Sequence, residues 1–586
     1  MTAIVGVSAL RLTMYASQLP GPWIIPDELL YAELGRSAAE SAAFTIRDEA
    51  TRVYALLYPA LISPAYLLWD APESSYRAVK AINAIAMSFA AVPVYFLARR
   101  FASSGWAVAM AALAVAIPSM AYTGVVMTEN LFYPLFVLAA LAMVAALERP
   151  TARRQLLLLG AVGAATLTRP QAIVILPAFA SALLLVKLVE SRTQTTADSD
   201  GGSSIRFRSY RLLWILPLAA ALGALALSAI RGASPLGVLG VYQHALGAVG
   251  VADAMRTLLY QFAVLDLSVG VIPFAAALAV TLLAVRGGIS SSLLRVWAVT
   301  VSLTVWMLAL VAVVGVRADA GGPGYPALPP QIHERWFFFL APLFFLLTLG
   351  FLQQRREGIR GSVVLAAAVA GLLPAILPIE EFEFNAQFES LALVPWLDTS
   401  SADGPAPIVF AAALAALFVA ACRRNRVGLS LSIVGLVLYG TGFTAQNGML
   451  DASEQIAGRA GASDPSWIDH AVGPGENVVV VLGASDAPRS QRAKFDWGLP
   501  VWYSEFFNTS LGRVYYLGEQ QPYNLPDERV TVDGASGSLL DSSRRPLRSS
   551  WALADTNIRL EGDVVARLDS GFRLYRISGS RLRVAG

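Results

Sequence analysis

Three carboxylates fall within seven residues in Pro26-Asp27-Glu28-Leu29-Leu30-Tyr31-Ala32-Glu33-Leu34-Gly35-Arg36, inside a chain otherwise dominated by hydrocarbon. The stretch follows the first apolar segment, where a membrane-embedded chain leaves the bilayer. Ionisable residues at such a boundary are read as a functional site by default, and Asp27 is read here as a catalytic carboxylate. A proline followed by acids is also an ordinary helix start, favoured by the backbone dipole. The place of the motif, more than its composition, therefore carries the reading. Glu33 reads as a solvated or paired surface acid.

Other polar residues recur at span ends. Glu129, in Thr128-Glu129-Asn130-Leu131-Phe132-Tyr133-Pro134, opens a helix; it is either a first-turn acid behind a Thr128 cap or a site residue, with Asn130 and Tyr133 suited to sugar hydroxyls. Arg169 stands between Thr168 and Pro170 at a tight turn. There a guanidinium must reach the interface, pair with an acid or bind an anion. Gln331-Ile332-His333-Glu334-Arg335-Trp336 gathers an imidazole, a carboxylate and a guanidinium before an apolar span; an aromatic belt with an interfacial arginine is the simpler alternative. No second histidine lies at helical spacing from His333, which argues against zinc. The polar-aromatic stretch after residue 20 also contains Tyr54, Tyr58 and Pro59.

One carboxylate with several arginines suits a defined reaction. There is no Gly-rich phosphate loop with lysine, and nucleotides do not reach the outer face of a bacterial membrane. An activated sugar must then arrive on a lipid carrier such as a polyprenyl phosphate. Glycosyl transfer from it needs a general base for the acceptor hydroxyl, while cations offset charge on the departing phosphate. Direct displacement predicts inversion at the anomeric carbon.

The elements that position these groups follow from hydropathy. Apolar residues make up 56 % of the 586 and charged residues 15 %, with mean hydropathy +0.57. Repeated apolar runs of about 20 residues predict a polytopic helical membrane protein of about 13 spans. They fall near 3–19, 77–98, 105–122, 129–147, 155–168, 170–189, 211–230, 264–285, 293–316, 335–352, 361–378, 407–422 and 427–446. A net charge of +3 gives no reason to expect nucleic acid, and the single cysteine, Cys422, excludes a disulfide within the chain. Arginines occupy alternate loops: Arg99-Arg100, Arg149/Arg153/Arg154, the 187–211 loop, Arg286/Arg295, Arg355-Arg356/Arg360 and Arg423-Arg424/Arg426. The positive-inside rule places these, and the N-terminus, in the cytoplasm of a bacterial plasma membrane. Outer loops are then 20–76, 231–263 (amphipathic, with Tyr242, His244, Asp253 and Arg256), 317–334 and 379–406. Residues 1–449 form the membrane domain. Beyond about 450, short runs at 478–482, 513–517, 529–532, 564–568 and 572–577 read as strands, with helical patches at 452–461 and 499–511. Residues 450–586 are thus expected to form an extracytoplasmic α/β domain, whose Trp497, Trp502, Tyr503 and Tyr515 are either an acceptor platform or core.

The 26–37 stretch resembles the first-outer-loop motif of the GT-C membrane glycosyltransferases, closest to the protein O-mannosyltransferase and aminoarabinose (lipid A) transferase branches, whose motif reads Asp-Glu-x-x-Tyr-Ala-Glu. The resemblance extends to Thr128–Pro134, Thr168-Arg169-Pro170 and Glu334-Arg335-Trp336. It implies a GT-C fold, Asp27 as base, and Tyr31 and Glu129 lining the cavity. Two departures stand out. Leu30 replaces the arginine of the aminoarabinose branch, and Leu57-Tyr58-Pro59 stands where Glu-Lys-Pro-Pro is absent. Arg169, Arg335, Arg256 and Arg317 are then the candidate phosphate ligands. The site is expected to comprise Asp27 with Glu28, Tyr31, Tyr58, Glu129, Asn130, Arg169, His333, Glu334 and Arg335. No cofactor is expected; a divalent ion beside Asp27 and Glu28 fits the residues, though the resembled branches do not need one. Partners are the polyprenyl-phosphate sugar, the bilayer, and a glycan, lipid or protein acceptor. A lipid-linked glycan flippase is the alternative, but it calls for polar residues deep in several spans. A non-catalytic scaffold leaves the acid–arginine sites unexplained.

Overall fold

The structure is a computed structural model. It describes residues 1–47, 49–50, 55–194, 207–230, 250–319, 332–354, 360–379, 389–397, 406–424, 427–461, 464–473, 475–483, 491–518, 525–579 and 581–585. Most of them are helical. Six helices among them are long and apolar enough to cross a membrane: Pro72–Ala98, Glu129–Glu148, Pro170–Arg192, Ser291–Val316, Ala406–Arg423 and Gly428–Ala460. Two bent pairs raise this to eight, and shorter apolar helices include Thr2–Ala16, Leu57–Leu68, Arg211–Ala226, Phe338–Leu352 and Gly361–Ile376. His244 and Tyr242, and most of the 317–334 and 379–406 loops, lie outside the described residues.

Two expected spans are broken. The stretch near 105–122 divides into Ser104–Ala114 and Pro118–Gly124, bent by 55°, and the one near 264–285 divides at Gly270–Val271, bent by 115°. The cause at the second break is local. Gly270 takes a left-handed C-cap, φ 93°, and Pro273 lies at the start of the next helix, where its missing N–H is harmless. Just before the bend, Asp266 is fully buried, with neither carboxylate oxygen hydrogen-bonded among the described residues. It is an exception to the pattern of charges at span ends.

One charged side chain organises the first helix. Lys80, within Pro72–Ala98, donates its Nζ to the carbonyls of Ala16 and Leu19, 2.9 Å each. Ala16 ends the Thr2–Ala16 helix, where carbonyls lack a full set of helical partners; its oxygen also accepts the Leu19 N–H at 3.3 Å, and Leu19 lies in the turn that follows. The ammonium also lies over the Tyr76 ring, 3.8 Å from its centroid.

The helix Val427–Ala460 runs straight through residue 450, where composition changes. Beyond it stands a six-stranded mixed sheet. Its spatial order is Glu528–Arg529, Leu511–Tyr516, Val478–Leu482, Trp551–Ala554, Arg573–Arg576 and Asp563–Arg567. Val478–Leu482 is parallel to both neighbours. Alternate residues serve two cores. Val480, Leu482, Val514, Tyr516, Leu553 and Leu574 join the large core shared with the helices, whereas Val481, Tyr515, Ala552 and Tyr575 build a small one on the opposite face, as the strand period of two requires. Trp551–Ala554 is the strand of this sheet missed by sequence reading. It is buried at every position, so no polar alternation marks it. Trp502, Tyr503 and Tyr515 prove to be core, 3 %, 2 % and 7 % exposed.

Lys80→Met keeps the aliphatic stem but removes the buried Nζ donor to both carbonyls. It is expected to destabilise the protein by about 1–3 kcal/mol, seen as a lower thermal midpoint in detergent, with no loss of expression-level membrane insertion.

Candidate active site

Asp27 begins the helix Asp27–Ser41. The position of that helix is set by its neighbour. Glu28 is fully buried and accepts the Trp23 and Ile24 backbone N–H groups on Oε1, at 2.8 and 2.9 Å, and the Val126 N–H on Oε2, at 2.9 Å. Burial pushes its carboxyl above the ordinary value, against these three donors. Glu28 thereby stitches the turn before the helix to the 125–128 turn. Asn130 completes that stitch by donating its Nδ2 to the carbonyls of Tyr122, Val125 and Met127, at 3.2, 3.0 and 3.1 Å. Tyr58, also fully buried, donates to Asn83, which donates in turn to Val125 O. Tyr31 packs edge-on to Tyr58. These residues form the wall behind Asp27.

In front of it lies a cluster of opposite charges. Pro170 forces Arg169 into extended backbone, φ −147° and ψ 118°, as the residue before proline must be, and the helix ends there. The Arg169 guanidinium reaches Glu129 at 2.5 Å. Arg335, in the short 3-10 turn Glu334–Trp336, serves three acids: Glu389 at 2.8 Å, Glu129 at 3.3 Å and Asp27 at 3.7 Å. Glu129 is fully buried, whereas the Asp27 side chain is 51 % exposed. Yet Asp27 is surrounded by enough protein that burial pushes its carboxyl up. Arg335 and Arg169 pull it down and Glu389 and Glu129 push it up, with the net shift upward. The carboxylate is thus open on one side while charged side chains crowd it on the other.

Glu389 is the site residue that sequence reading missed. Burial favours its neutral form, but Arg335 and then His333 outweigh this and hold its carboxyl below the usual value. His333 Nδ1 lies 3.4 Å from its Oε2, and the imidazole stacks on Trp336 at 4.7 Å. Glu334 points away from this charge. It accepts the Ser390 hydroxyl and the Ala392 N–H, both at 2.8 Å, and the Ser119 hydroxyl at 3.3 Å. It thus pins the 389–392 segment, and through it Glu389, to the Arg335 turn. Burial drives the Glu334 carboxyl up to about 7 despite those donors.

Asp27, Glu129, Arg169, His333 and Arg335 therefore converge, joined by Glu389. Glu28, Asn130, Tyr58 and Glu334 act one layer behind, through the backbone and side chains that they hold. Arg256 stands apart, half exposed and paired with Asp253 at 2.8 Å, and the side chain of Arg317 lies outside the described residues. No three His, Cys, Asp or Glu side chains converge as metal ligands among the described residues.

The family described as dolichyl-phosphate-mannose-protein mannosyltransferase matches residues 54–197, a span that includes Tyr58, Glu129, Asn130 and Arg169. Among solved structures, the chain is similar to ArnT from Cupriavidus metallidurans bound to undecaprenyl phosphate: 14 % identity, 99 % of this chain and 98 % of that one, TM-score 0.54. The apo state of the same protein matches at 15 % identity over 98 % and 97 %, TM-score 0.52. The apo oligosaccharyltransferase of Archaeoglobus fulgidus is 13 % identical over 87 % of this chain and 64 % of that one, TM-score 0.40. No curated protein matches by sequence. The resemblance to GT-C glycosyltransferases drawn from the motifs is thus supported by family and by fold.

Glu334 supplies a pH test. Its carboxyl is neutral more readily folded, at about 7, than at the ordinary 4.5. Its contribution to stability is therefore whole below 4.5 and is lost as pH rises toward 7. Thermal midpoints of the wild type, measured relative to Glu334→Gln at each pH, should fall across that window and level off above it.

Proposed function

We propose that this chain, with its GT-C fold, is an inverting glycosyltransferase that moves a sugar from a polyprenyl-phosphate donor to an acceptor hydroxyl. The observation that carries the reading is the half-exposed Asp27 carboxylate facing Arg335, 3.7 Å away, and, across it, Glu129 and Arg169. The likeness to a protein crystallised with undecaprenyl phosphate supports a lipid-phosphate donor.

Asp27 accepts the proton of the attacking hydroxyl, and its raised affinity for protons makes it a stronger base than an ordinary carboxylate. As the sugar–phosphate bond breaks, Arg335 and Arg169 offset the charge developing on the phosphate. Glu129, buried between them at 3.3 and 2.5 Å, holds the two guanidinium groups in place. His333 and Glu389 border the same space and orient Arg335 from its other side. The acceptor is a cell-envelope glycan, lipid or protein. The wider reading keeps about 13 spans, the arginine-rich loops and the N-terminus in the cytoplasm, and residues 450–586 and the site on the outer face of a bacterial plasma membrane.

Asp27→Asn is nearly isosteric and removes only basicity. Transfer of radiolabelled sugar from a polyprenyl-phosphate donor should fall by about 10²-fold or more, with donor binding retained; near-normal turnover would end the assignment. In the wild type the acid limb of kcat/KM should lie above the ordinary aspartate value, because Asp27 must lose its proton to act and holds it to higher pH. Activity lost only below about pH 4 contradicts this environment.

A further inference from the structure

A second cluster of buried charge lies at the far end of the helix that carries Asp27. Arg47 forms the turn of the two-stranded hairpin Thr45–Ile46 and Glu49–Ala50, with left-handed backbone, φ 51°. Its guanidinium grips Glu505 twice, Nε to Oε1 and Nη2 to Oε2, both at 2.7 Å. It donates Nη1 to the Pro526 carbonyl at 3.2 Å and pairs with Asp527. The side chains of Arg47, Glu505 and Asp527 are 3 %, 5 % and 0 % exposed. Glu505 belongs to the helix Gln491–Phe507, packed against the C-terminal sheet unit.

This cluster is wired to the Asp27 helix. Ser37, on that helix, bonds Thr45 Oγ1 at 2.7 Å and the Ala43 carbonyl at 3.1 Å. Arg36 pairs with Glu33 at 2.7 Å and donates to the carbonyl of Phe506 at 3.4 Å. A non-glycine residue persists in left-handed backbone only where its surroundings over-determine it, and the two-pronged grip on Glu505 does so at Arg47. Burial pushes the Asp527 carboxyl up to about 7, against Arg47 and with Glu505 and Glu49 adding to the rise.

Asp27 does little to fix itself. Among the described residues its sole ion-pair contact is the 3.7 Å approach of Arg335, so the helix decides where the carboxylate points. Glu28 pins one end of that helix. The Arg36 and Arg47 contacts pin the other and stop it rolling about its axis. A roll of about 20° moves a carboxylate some 5 Å off-axis by roughly 2 Å, and a 1 Å misplacement of a reacting group can cost about 10²-fold in rate.

We propose that Arg47 and Glu505 are positioning residues. Through them the C-terminal sheet unit braces the Asp27 helix and sets the transfer rate without touching substrate. The inference rests on the reading of Asp27 as the base.

The test compares the full-length protein with Arg47→Met, Glu505→Gln and the double variant. Turnover at saturating donor, polyprenyl-phosphate binding by native mass spectrometry, and hydrogen exchange of the 27–41 amides are measured on each. Each single variant should lose about tenfold or more in turnover while lipid affinity stays within about twofold. The double should be no worse than the worse single, because the two residues act as one unit. Exchange along 27–41 should quicken, and Arg47→Lys should restore part of the rate. Should the neutral variants fail to fold, Glu505→Asp, which keeps the charge but shortens the grip, carries the comparison and should show a smaller loss of the same kind. Unchanged turnover, or turnover and lipid affinity falling together, overturns the brace. A wild type that transfers no sugar sinks the reading of Asp27 instead, while unaltered exchange in the variants would still reject the brace independently.

Discussion

Arg335 is the point on which the site turns. One guanidinium lies within 2.8 to 3.7 Å of three carboxylates that come from three distant parts of the chain, residues 27, 129 and 389. Like charges so close repel strongly in surroundings of low dielectric, and only a central cation makes the gathering stable. Arg169 adds a second positive charge on Glu129. Each acid ends in a different condition. Glu129 is fully buried and shared by both arginines; Glu389 is held ionised by Arg335 and His333; Asp27, at the greatest distance from Arg335 and half exposed, holds its proton more tightly than an ordinary aspartate because of burial. Three carboxyl groups around one guanidinium are thus set apart by geometry, each in different surroundings.

The layer behind the site consists of polar side chains spent on backbone. Glu28, Asn130, Asn83 and Glu334 each satisfy turn N–H or carbonyl groups that the short loops between helices leave open. Buried unpaired backbone groups are costly, so these residues fix loops that would otherwise be free to choose among conformations. Glu28 and Asp27 are neighbours with opposite tasks. One is consumed in holding the helix, which leaves the other free.

The C-terminal sheet unit belongs to this support. Its Trp502, Tyr503 and Tyr515 are buried, and its Glu505 and Asp527 reach back to Arg47 at the edge of the first loop. Two parts of the chain far apart in sequence are thereby bound by buried ion pairs. Such pairs add little to stability on their own, but breaking one leaves an uncompensated charge. They are better suited to fixing a geometry than to strengthening a fold.

Much was legible along the chain. Hydropathy revealed the helices, because a span must satisfy its own backbone bonds and show an apolar surface. The GT-C resemblance followed from the 26–37 motif and the three shorter ones, and five of the six members of the convergent cluster from where ionisable residues fall at span ends. Glu389 was not legible: it is one acid among several in residues 380–389, and nothing local distinguishes it. Nor were the separate tasks of Asp27 and Glu28, since both occupy the first turn of one helix and differ by a rotation of about 100°. The strand Trp551–Ala554 hid for want of alternation. Sequence by itself determined which segments are apolar and which polar residues stand at their ends. Tertiary structure alone decided which of those residues meet, because an ion pair between residues 27, 129, 335 and 389 depends on how helices pack, and packing leaves no period in the chain.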